Sequence, residues 1–83
     1  MISTSKNPSF DIRVIFLNDA LTMSNFAKQL RPSKDKEYAL NLLESVLDIF
    51  PQQNGELNFK QVSLISSKLM IVRGRLAGFG LEN

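Results

Sequence analysis

Apolar residues recur at helical spacing over two long stretches of this chain. In "SKDKEYALNLLESVLDIF", Ala39, Leu42, Leu43, Val46, Ile49 and Phe50 fall on one side of a helical period, and Leu40 and Leu47 widen that arc. Glu37, Asn41, Glu44 and Asp48 fall on the other side. Ser33, just after Pro32, has a hydroxyl that caps a helix start by accepting a hydrogen bond from a first-turn amide. Pro51 lacks an N–H and restricts the residue before it, so this helix is predicted to span 33–50.

"NFKQVSLISSKLMIVRGRLAGFG" carries the second stretch. Val62, Ile65, Leu69, Val72 and Leu76 hold one steady register, which marks a core-facing stripe. Asn58 and Gln61 stand at the two positions of a capping box, with Leu57 and Val62 at the ends of a hydrophobic staple. Gly78 and Gly80 mark the end, where a residue without a side chain adopts the left-handed cap. The predicted helix spans 58–77.

The corner "FPQQNGELNF" has the Asn-Gly pair of a calcium loop. With Gly55 as the sixth loop residue, the ligand positions are Phe50, Gln52, Asn54 and Gln61. Calcium needs several carboxylates and a bidentate glutamate at the last position, so a phenyl ring and an uncharged amide exclude it. Asn54-Gly55 instead supplies the positive φ of a turn, and helices 33–50 and 58–77 are predicted to close an antiparallel hairpin.

The first third carries two overlapping patterns. In "FDIRVIFL", Phe10, Ile12, Val14 and Phe16 alternate with Asp11, Arg13 and Ile15, which favours an extended segment. Ile12, Ile15, Phe16, Met23, Phe26, Ala27 and Leu30 also lie along one helical face, with Asn18-Asp19 placed to cap a separate helix. The expectation is a short extended segment or helical turn over 10–17, then a helix from about 19 to 31.

The fold class is therefore mainly α: a small three-helix domain built on the hairpin, with the helix from about residue 19 packed across it. Residues 1–8 are expected to be mobile, and 9–83 to form a single helical domain. The predicted core is Phe26, Leu30, Leu42, Leu43, Val46, Ile49, Phe50, Val62, Ile65, Leu69, Val72 and Leu76.

The last helix carries a second stripe. Leu57, Leu64, Ile71 and Gly78 recur every seven residues opposite the first, beside the small residues Ser67 and Gly74, with Met70 at the flank. A surface helix needs one apolar side, and two imply burial on both. Leu64, Ser67, Ile71, Gly74 and Gly78 are thus the expected interface of a homo-oligomer or protein partner, unless the N-terminal segment covers them. The functional expectation is a non-enzymatic adaptor or regulator that binds protein or itself through this helix.

Charge brings in an alternative. The net charge of +2 divides into +3 over residues 1–36, −4 over 37–58 and +3 over 59–83. Lys60, Lys68, Arg73 and Arg75 on the last helix, or Lys34 and Lys36 at the start of the middle one, are candidate phosphate contacts. A helix-turn-helix arrangement would take "MSNFAKQL", "RPS" and "KDKEYALNLL" as first helix, turn and recognition helix. A strand–helix–helix order would instead resemble a ribbon-helix-helix dimer, reading DNA with Asp11, Arg13 and Ile15. Asp11, Asp35 and Glu37 repel phosphate in these settings. The plainer expectation is that the acidic middle packs beside basic flanks, each surface pair contributing about 0–1 kcal/mol.

Composition narrows the chemistry. With no cysteine and no histidine, the chain lacks thiolate and imidazole, the commonest soft metal ligands and the commonest general base. No enzyme activity, metal, cofactor or small-molecule substrate is expected. The start "MISTSKNPS" has no apolar core of a signal peptide, and runs such as "LMIV" fall far short of the ~20 residues of a spanning helix, so a soluble cytoplasmic protein is predicted.

Overall fold

The computed structural model describes residues 12–50 and 56–81, and these form three α-helices: α1 (Ile12–Lys28), α2 (Lys34–Ile49) and α3 (Phe59–Ala77). The expected mobility of residues 1–8, the stop at Pro51 and the Asn54-Gly55 turn lie outside the described residues.

The ends of α2 and α3 are written in local chemistry. Ser33 is extended at φ −166°, and its Oγ accepts the Lys36 N–H at 3.1 Å. Asp35 and Glu37 sit in the first turn of α2, where carboxylates favour the positive end of the helix dipole. At the start of α3 the capping box closes in both directions: Asn58 Oδ1 accepts the Gln61 N–H and Gln61 Oε1 accepts the Asn58 N–H, each at 2.8 Å. At its far end the Leu81 N–H reaches the Leu76 carbonyl at 3.2 Å and the Gly80 N–H reaches Ala77 at 3.1 Å. That crossed pair is a Schellman closure, and Gly80 supplies its left-handed residue at φ 107°. Gly78 remains right-handed at φ −65°, so only one of the two predicted glycines takes the left-handed cap.

α1 departs from expectation. Residues 12–17 are helical, not extended, and Asn18-Asp19 lie inside one continuous helix instead of capping a shorter one. The period explains it: Phe16, Ala20, Met23 and Ala27 share one face and pack against the other helices. Strand propensity in "IRVIF" is a weak preference that tertiary packing overrides. Asp19 points to α3 and forms an ion pair with Arg73.

Side-chain contacts fix the chain direction. At one end of α1 the Arg13 guanidinium lies over the Phe50 ring, 5.8 Å from its centroid, and at the other Lys36 Nζ donates to the Lys28 and Leu30 carbonyls at 3.2 and 2.8 Å. α1 and α2 therefore run antiparallel along their whole length. Gln61 Nε2 to the Ile49 carbonyl, Lys68 Nζ to Ser45 Oγ and Arg75 to Asp35 do the same for α2 and α3. The chain runs up, down and up.

The core is wholly apolar. Leu43, Val46, Ile65, Leu69, Val72 and Leu76 are buried as predicted; Phe26, Leu30, Leu42, Ile49 and Phe50 pack on its margin, and Val62 is half-buried. Ala20, Met23, Ala27 and Ala39 complete it. Ala27 and Ala39 are fully buried, and residues this small at helix contacts favour short interaxial distances.

Candidate functional site

α3 uses one side to seal the core and leaves the other open. Ile65, Leu69, Val72 and Leu76 are buried, while on the opposite side Phe59 is 84% exposed, Met70 70%, Leu64 50% and Ile71 48%. Neither α1 nor α2 covers that side. Ser63, Ser67 and Gly74 form a low row between the flanks, with Leu64 and Ile71 on one side and Phe59 and Met70 on the other. An open depression of about 590 Å³ overlies the first half of this face, lined among the described residues by Asn58, Lys60, Gln61, Ser63, Leu64 and Ser67.

Gly74 is the informative member. A Cβ built there meets nothing within 4 Å, so packing within the chain does not require a glycine. Glycine in a helix interior costs about 1 kcal/mol relative to alanine. Gly78, also exposed, would place a Cβ 3.5 Å from the Arg75 carbonyl, an ordinary contact.

Four of the five expected interface residues are therefore together on one open face, and Gly78 continues it just past the end of α3. Leu57 does not belong to it. It precedes the Asn58 cap, where the helical period does not yet apply, and packs on the core margin. Phe59 and Ser63 were not selected by the seven-residue stripe. Their signal is the eleven-residue interval from Phe59 to Met70, about three helical turns.

The candidate phosphate contacts are scattered. Lys36 is committed to the carbonyl end of α1, Lys68 to Ser45 on α2, and Arg73 to Asp19 on α1. Arg75 pairs with Asp35 at 2.8 Å and stacks on Tyr38, 4.2 Å from the ring centroid. Lys34 begins α2 and Lys60 begins α3, so antiparallel packing puts them at opposite ends of the hairpin. The bases of α3 pair with acids of the first block, Asp19 and Asp35, and not with the acidic middle. Glu37, Glu44 and Asp48 are exposed, with no ion pair among the described residues.

No group of three or more acidic, histidine or cysteine side chains gathers at metal-binding distance among the described residues, and none of their helices is long and apolar enough to cross a membrane. No buried polar side chain is present among them.

No family model, curated protein or solved structure matches this chain.

Proposed function

We propose that this chain is a non-enzymatic protein-binding module whose docking surface is the outer face of α3. The observation that carries the reading is the exposure of Leu64, Met70, Ile71 and Phe59 on a helix already packed through its other side. Apolar area left in water forgoes about 25 cal/mol per Å² on burial, and a contiguous patch on a small domain is where association recovers it. The shape of the face supports the same reading: a low row of Ser63, Ser67 and Gly74 between bulky flanks admits the side chains of another helix. By contrast, four of the six candidate phosphate contacts, Lys36, Lys68, Arg73 and Arg75, are engaged by groups of their own chain, which favours the apolar face over a phosphate-binding one.

The test asks whether this face serves the fold or something outside it. Ile71→Lys is expected to retain the far-UV circular dichroism and melting midpoint of the wild type, because Ile71 packs no core position. Light scattering after size exclusion is expected to show it as a single chain. If Ile71→Lys unfolds the protein, the face is internal and the reading fails.

A further inference from the structure

We infer that the occupant of this face is a second copy of the chain, docked antiparallel through α3 about a two-fold axis at the level of Leu69; this rests on the docking reading above. In a two-fold contact each residue of one copy meets its symmetry partner's counterpart, so a surface that pairs with itself must match its own reverse. The outer face does. With Leu69 level with its own image, Leu64 comes level with Gly74 of the other copy, Ser67 with Ile71, and Lys60 with Gly78. At these three levels a larger side chain meets a small one, and the reciprocal pair repeats the match on the far side of the axis, while the exposed rings of Phe59 and Phe79 come level with each other.

Two further observations select this arrangement. Gly74 has no packing role within its own chain, since a Cβ there meets nothing within 4 Å. Level with Leu64 of a second copy, its missing side chain is the room that a leucine fills. Lys60, which has no ion-pair partner among the described residues, is brought to the carbonyl end of the opposite α3, where a cation suits the helix dipole. The fold already uses this chemistry once: Lys36 Nζ donates to the Leu30 carbonyl at the end of α1 at 2.8 Å. A parallel pairing would instead set Lys60 beside Lys60 and Gly74 beside Gly74, with like charges opposed and a gap at the glycine. The contact is one helix wide and about 28 Å long, at the small end of specific interfaces, so it forms in a concentration-dependent equilibrium.

The absence of native cysteine makes the arrangement directly readable. Single variants Lys60→Cys and Gly78→Cys are mixed and oxidised, as are Leu64→Cys and Gly74→Cys. The mixed 60/78 and 64/74 pairs are expected to give at least tenfold more disulfide-linked dimer than any variant oxidised alone. Identical Lys60 or Gly78 positions stand about 27 Å apart across the axis, beyond the ~7 Å Cα separation a disulfide tolerates. Adding Ile71→Lys to both members of a pair is expected to abolish the product. Dimer from Lys60→Cys alone would mean a parallel pair and overturn the inference. No product from either mixture would overturn it as well. In both cases a folded Ile71→Lys leaves α3 a docking face, whereas an unfolded one removes the docking reading too.

Discussion

Gln61 on α3 holds the end of α2 at Ile49. Its Nε2 donates to the Ile49 carbonyl at 3.3 Å, while its Oε1 accepts the Asn58 N–H at 2.8 Å. One side chain thus serves the open carbonyl end of one helix and the open amide end of the next. Gln61→Ala is expected to destabilise the domain by about 1–2 kcal/mol, the loss of a cap together with a cross-helix hydrogen bond. Asn58→Ala should cost about 1 kcal/mol, and the double variant less than the two together, because both act through one capping box. Urea denaturation of the three proteins checks this; strict additivity would mean the box does not act as a unit.

Lys36 gives a second prediction. Its ammonium sits on the Lys28 and Leu30 carbonyls, beyond the last turn of α1, and so neutralises a helix end. Lys36→Met keeps the length of the side chain and removes the charge. It is expected to lower stability by about 0.5–1 kcal/mol, read from the urea midpoint at unchanged slope. An unchanged midpoint would leave Lys36 as a solvated base.

Ala39 is fully buried on α2, in the core that the three helices share. Enlarging it forces the helices apart, so Ala39→Leu is expected to cost about 1–3 kcal/mol despite its greater hydrophobicity. A chain of 83 residues has about 4–12 kcal/mol of total stability, so the melting midpoint should fall by several degrees. A stabilised Ala39→Leu would show that the interhelical space was underfilled.

Gly74 separates fold from association. Gly74→Ala has open space for its methyl group and a better helix propensity, so the isolated chain should gain about 0.5–1 kcal/mol. The same methyl would occupy the room that the proposed dimer gives to Leu64 of the other copy, so sedimentation equilibrium should show weaker association. Stability and affinity moving together would sink the packing described above.

Much of this molecule was legible before any coordinates. Periodicity, Ser33, Asn58 and Gln61 determined α2 and α3 almost to the residue, because caps and amphipathic faces are local chemistry read at fixed spacing. The second stripe on α3 was legible for the same reason. α1 was not, since "IRVIF" satisfies a strand alternation and a helical face equally well, and only the neighbours packed on Phe16, Ala20 and Met23 settle which prevails. Ala20 gave no signal, and Ala27 and Ala39 showed only as members of an apolar face and not as core, because an alanine is as common outside as in and its burial depends on how closely two helices pass. The ion pairs were also a tertiary matter. Sequence blocks show which charges exist, but Asp19 with Arg73 and Asp35 with Arg75 meet only because the chain doubles back twice. That same doubling back left α3 with one flank in the core and the other in water.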